Sequence, residues 1–177
     1  MNTEIFKVFL LEDMALDMEL NKRQVRKYRP EVLFAVARNR REFEEKLVDF
    51  QPDIVLSDYN LPDMNGLEAL LYVREHLDGT PFVFITGVLN DEEKVADTIL
   101  NGASGYLLKE NLHNLPELLT AVVAKNAAVM RRREQDWERR KNNQLLLQKS
   151  IATLRTADFA GSGEVVAALR KIADNQS

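Results

Sequence analysis

From Ile5 to Leu108 the chain alternates between short apolar runs and longer amphipathic stretches. The short runs are Ile5–Leu11, Val32–Ala37, Asp53–Ser57, Pro81–Thr86 and Gly105–Leu108, each of strand length. Ile54-Val55-Leu56 shows no polar alternation, which suits a strand covered on both faces. Between the runs, Leu16, Leu20 and Val25 recur at helical spacing to about Tyr28. Phe43, Leu47 and Phe50 share one face of a helix over Arg40–Phe50, and further helices are expected over Gly66–Leu77 and about Asp91–Asn101. Five such βα repeats predict an α/β fold, a parallel sheet wrapped by helices on both sides.

The rest of the chain has a different rhythm. Asn114, Pro116 and Glu117 form a helix start, and neither Gly nor Pro follows until Gly161. A continuous helix of about 40 residues would span roughly 60 Å, far longer than a small domain requires. Val123, Met130, Trp137, Gln144 and Ile151 fall seven apart, the spacing of a coiled-coil row. The companion row, Leu119, Asn126, Arg133, Arg140, Leu147 and Leu154, is polar in its middle, so the seam is imperfect. Gly161-Ser162-Gly163 breaks the pattern before a last short helix over Glu164–Ala173. The chain thus divides into a domain over 1–125, an extended helix over 126–160, and a short helix or linker to a further domain over 161–177.

Composition narrows the function. With 45% hydrophobic residues the 177-residue chain can bury a real core, and its net charge of −4 argues against a general nucleic-acid binder. Cysteine is absent, which excludes disulfides, thiolate metal sites and thiol catalysis. The start reads as no signal peptide and no run is long enough to span a bilayer, so a cytoplasmic protein without a membrane partner is expected. His76 and His113 have no partner at helical spacing for a metal pair and read as surface residues. Residues 131–141 hold six basic and three acidic side chains, the mark of a solvated helix face rather than a nucleic-acid patch.

The chemistry collects where the strands end. In a doubly wound sheet, ligands bind outside the carboxyl ends of the strands where the strand order reverses. Strand one ends in Glu12-Asp13, strand three in Asp58, strand four in Thr86-Gly87 and strand five in Lys109. Carboxylates gathered together repel one another unless protonated or bound to a cation, and an all-oxygen set suits Mg²⁺. A cation, a lysine and a hydroxyl are the groups that neutralise a transferring phosphoryl group, and a carboxylate can serve as its nucleophile. Each residue alone also has an ordinary reading: Asp58 opening a turn, Glu12-Asp13 beginning a helix, Lys109 on the surface, Tyr106 as packing.

In order, LLED, VLSDYNLPDMNG, FITG and GASGYLLK resemble the receiver domain of two-component response regulators, over about residues 4–125. The resemblance implies a five-stranded flavodoxin-like fold and phosphotransfer from a histidine kinase or phosphotransfer protein. It makes Asp58 the phosphoacceptor, supported by Lys109 and Thr86. Glu12, Asp13, Asp58 and the backbone carbonyl of Asn60 would hold Mg²⁺, and Thr86 with Tyr106 would be the switch. The family's usual Pro after the strand-five Lys is Glu110 here, so either a strained cis bond or a different loop geometry is expected. No enzyme activity is expected beyond self-phosphotransfer and autodephosphorylation. The switch would act through the fourth helix, strand five and the helix that follows, toward a homodimer formed by the C-terminal helix. The alternatives are the receiver of a longer sensor kinase or cyclic-dinucleotide enzyme, and, ranked lower, a DNA-binding regulator.

Overall fold

The computed structural model describes residues 5–87, 100–156 and 165–167. Five strands, β1 (Phe6–Leu11), β2 (Val32–Ala37), β3 (Ile54–Ser57), β4 (Phe82–Thr86) and β5 (Gly105–Leu108), form one parallel sheet in the order β2-β1-β3-β4-β5. Helices α1 (Ala15–Tyr28), α2 (Arg40–Phe50) and α3 (Gly66–His76) connect the first four strands. A 3₁₀ segment, Lys109–Asn114, leads from β5 into a helix over Leu115–Thr156. The expected helix near Asp91–Asn101 falls largely on residues 88–99, and the glycine break and most of the last short helix lie beyond 156; these lie outside the described residues, except that 165–167 are helical. Among the described residues no helix is long and apolar enough to cross a membrane.

Strand alternation splits the core into two layers. Phe9, Leu11, Val55, Phe82 and Phe84 face α2 and α3, where they meet Phe43, Leu47, Ala69, Leu70 and Val73. Phe6, Val8, Leu10, Ile54, Leu56, Val83 and Ile85 face the other way, onto Met18 and Val25 of α1 and onto Leu115, Leu119 and Val122. Residues 54–56 are fully buried, as a strand covered on both faces must be. Each buried Leu or Phe stabilises the fold by about 1.5–3 kcal/mol relative to exposure.

Two expectations about faces need correction. On α1, Leu16 and Leu20 are exposed, and Met18, Asn21 and Val25 are the buried residues. The seven-residue gap from Met18 to Val25 spans two helical turns, so this face, with Asn21 in it, meets the sheet. On the long helix, Val123 and Met130 pack against the core layer under α1, which leaves Trp137, Gln144 and Ile151 of the expected row. The described chain forms two compact units that divide after Met130; the first contains the sheet, and the second carries exposed Trp137, Leu145 and Leu146.

Helix caps fix where the loops begin. Asn39 accepts a hydrogen bond from the Glu42 amide at 2.9 Å to start α2. Asn65 and Glu68 form a reciprocal capping box that starts α3 right after the β3–α3 loop. Gly66 is required at that point. A Cβ there would lie 2.5 Å from a ring carbon of buried Phe84 and 2.9 Å from the Tyr59 backbone. Gly66→Ala is expected to cost about 1–3 kcal/mol of stability through this overpacking. Urea unfolding checks this, and an unchanged midpoint would contradict it.

Candidate functional site

Parallel register brings the candidate residues to one level. Leu11 pairs with Ser57 across β1 and β3, so Glu12 and Asp58 leave the sheet side by side. The Asp58 amide donates to the Leu11 carbonyl at 2.9 Å, and the Glu12 amide to the Ala37 carbonyl at 3.0 Å. The chain passes from β1 to β2 on one side and then to β3 on the other, so this pair sits where the strand order reverses. Thr86 pairs with Leu108, which places Lys109 one residue past the end of β4.

Glu12, Asp13 and Asp58 present carboxylate oxygens that all lie within 4.8 Å of one another. The Lys109 ammonium reaches into this group. Its Nζ is 2.7 Å from Asp58 Oδ2, 2.9 Å from Glu12 Oε2 and 2.6 Å from Oδ2 of Asp17, a residue in the first turn of α1. Its aligned hydrogen bonds go to Asp17 and Asp58. Glu12 Oε2 is buried with charge beside it but no aligned donor. The other Asp58 oxygen, Oδ1, accepts from the amides of Tyr59 at 2.6 Å and Asn60 at 3.3 Å. Asp58 is therefore held at both oxygens and retains 9% of its surface.

The electrostatics follow from burial and crowding. Burial pushes the Glu12 carboxyl above the usual range, and the Lys109 ammonium 2.9 Å away only partly offsets this. Burial alone would lower the Lys109 pKa, but Asp17, Asp58 and Glu12 outweigh it and hold the ammonium above the ordinary lysine range. Tyr106 is half-buried against the α2–α3 layer, and burial, with the Asp58 charge second, raises its pKa. Thr86 is buried at the end of β4.

The loop between Asp58 and α3 is anchored twice. The Asp63 carboxylate accepts from the Arg40 amide at 3.0 and 3.1 Å, tying the loop to the start of α2. The Arg40 guanidinium lies 3.1 Å from Glu68 on α3. At the loop's near end the Gly66 amide donates to the Tyr59 carbonyl at 2.7 Å. The peptide bond between Lys109 and Glu110 is trans, so of the two geometries expected for this loop it takes the unstrained one, a 3₁₀ turn.

Glu12, Asp13, Asp58 and Lys109 are thus brought together as the sequence suggests, with Asn60 contributing an amide beside Asp58. Asp17 escapes sequence reasoning. An acidic residue in a first turn reads as a partner of the helix dipole, and only the fold shows that it meets a lysine 92 positions away. His76 is exposed, pairing with the Tyr72 carbonyl and stacking on the Tyr72 ring at 4.0 Å, away from any ligand cluster.

Comparison with known proteins agrees with this arrangement. The chain is 37% identical over 83 residues to protein-glutamate methylesterase/protein-glutamine glutaminase 2 of Carboxydothermus hydrogenoformans, covering 46% of this chain and 23% of that protein. It is 31% identical over 116 residues to the transcriptional regulatory protein YdfI of Bacillus subtilis, covering 60% of this chain and 54% of that one. The chain therefore spans about a quarter to about half the length of these relatives. Its fold matches that of the chemotaxis response regulator CheY4 of Vibrio cholerae with a TM-score of 0.56 at 24% identity, over 70% of this chain and 99% of that one. The profile of the response regulator receiver domain matches residues 8–123, which take in all of the sheet but Phe6 and Lys7, and every carboxylate of the cluster. With strand order, acidic cluster and lysine in agreement, the chain belongs to the family of response regulator receiver domains of two-component systems.

Proposed function

We propose that Asp58 accepts a phosphoryl group from the phosphohistidine of a histidine kinase or phosphotransfer protein. The observation that carries this reading is the fixed Asp58 carboxylate, with Lys109 at 2.7 Å and two backbone amides on its other oxygen. An Asp58 oxygen attacks phosphorus; the P–O bond forms as the P–N bond breaks, and the imidazole leaves with the electron pair of that bond. Lys109 offsets the charge carried by the phosphoryl oxygens, and Thr86 supplies a hydroxyl.

The donor set fits a divalent cation. Three carboxylates converge, and Glu12 Oε2 is buried without an aligned donor, which a hard cation would satisfy. Glu12, Asp13, Asp58 and the Asn60 carbonyl would hold Mg²⁺, which supplies charge neutralisation at the phosphoryl oxygens. Incubation with acetyl phosphate and Mg²⁺ should add one phosphoryl group to the chain, read by intact mass. Asp58→Asn and EDTA should abolish it; equal labelling of the Asn variant would sink the assignment.

The switch is assigned to Thr86 and Tyr106. A dianionic phosphoryl group draws the Thr86 hydroxyl toward it, and the half-buried Tyr106 ring moves into the space released. Thr86→Ala should still be phosphorylated but lose the accompanying change in hydrogen exchange over residues 100–125. Identical changes in variant and wild type would remove Thr86 from the pathway.

The relatives named above include a transcriptional regulator and, by its name, an enzyme, so a receiver of this kind serves different outputs. Regulation of transcription is accordingly the second reading, and the net charge alone does not set nucleic acid aside. The first reading is a homodimer through the helix beyond Met130, because Trp137, Leu145 and Leu146 are exposed there. The full chain should sediment as a dimer at micromolar concentration and as a monomer when cut after Met130, with Trp137→Glu weakening the dimer. A full-length monomer, with and without beryllofluoride, would favour the transcriptional or another partner-bound output instead.

A further inference from the structure

The Lys109 ammonium has three N–H bonds to give, and three carboxylates crowd it. Two of them, Glu12 and Asp58, belong to the trio that can hold a cation. Asp17 does not, and at 2.6 Å it is the shortest of the three contacts. It approaches from α1, while Lys109 arrives from the end of β5. Its side chain is 30% exposed, so it is less constrained by packing than Glu12 at 1%.

This geometry sets up a competition. An ammonium resting on Glu12 and Asp58 opposes a cation that needs those same oxygens. Asp17 draws the ammonium outward and relieves that opposition. A phosphoryl group on Asp58 has the reverse requirement: it needs the ammonium, and Asp17 is both a rival acceptor and a like charge near the new anion. We propose that Asp17 is a positioning residue that acts through Lys109, partitioning the ammonium so that metal binding is favoured and capture of the phosphoryl group is restrained. The proposal rests on the phosphoacceptor reading of Asp58. The competing account, a first-turn acid serving only the helix dipole, predicts a small loss of stability and no change in either affinity.

The two ligands can be titrated separately into the full-length chain by calorimetry, Mg²⁺ alone and then beryllofluoride at saturating Mg²⁺. Asp17→Asn is expected to bind Mg²⁺ more weakly and beryllofluoride more tightly, each by roughly twofold to tenfold, the scale of one partly exposed charge pair. Raising the salt concentration should narrow both differences. Asp17→Glu, which keeps the charge, should restore both affinities in part. Opposite shifts are the signature, because a merely structural lesion weakens both. Unchanged affinities, or shifts of the same sign, would overturn the role of Asp17 while leaving Asp58 as phosphoacceptor intact. Wild-type chain that binds no beryllofluoride would instead overturn the Asp58 reading, and this proposal with it.

Discussion

One ammonium group, that of Lys109, faces the carboxylates of Glu12, Asp17 and Asp58 at the open ends of the strands. Without it, like charges would face one another in a partly buried pocket, an arrangement that is strongly unfavourable. Its position depends on everything upstream: the parallel register of β4 and β5 places Leu108 beside Thr86, and the trans-linked 3₁₀ turn follows at once. The acidic cluster and the lysine are therefore one unit, stable together and poorly tolerated apart.

The scaffold around this unit is stiff where the chemistry demands it. Both faces of β3 are covered, so Asp58 emerges from a strand that cannot slide without exposing Ile54 or Val55. The loop that follows is tied to α2 through Asp63, to α3 through the Asn65–Glu68 capping box, and to itself through the Gly66 amide. Polar loops of this length are ordinarily the yielding part of a domain, but this one has defined hydrogen bonds at both ends. The free choices left at the site lie with longer side chains, above all the flexible stem of Lys109.

The helix that begins at Leu115 has two roles along its length. Leu115, Leu119 and Val122 complete the core beneath β1, β3 and β4, with Val123 and Met130 packed at its margin. Its first turns directly follow β5 and the 3₁₀ segment that carries Lys109, so the lysine and the element that leads out of the domain are consecutive in the chain. Farther along, Trp137, Leu145 and Leu146 are exposed.

Much of this was legible in the sequence. Five strands, the three described helices α1 to α3 and the parallel sheet follow from apolar periodicity, because a strand buried on both faces and an amphipathic helix leave different patterns. Glu12, Asp13, Asp58 and Lys109 were legible as a set because each follows a strand, and parallel strands end at one side. The buried face of α1 was not, since Leu16 and Leu20 resemble core residues by type, and only the path of the helix across the sheet makes Met18, Asn21 and Val25 the inner ones. Nor could seven-residue spacing separate a coiled-coil row from a helix packing on its own domain, and Val123 and Met130 belong to the latter. Asp17 marks the limit most clearly. Its residue type and place suit a helix dipole, and its contact with Lys109 arises only when the end of β5 is folded against the start of α1, a pairing that no local pattern encodes.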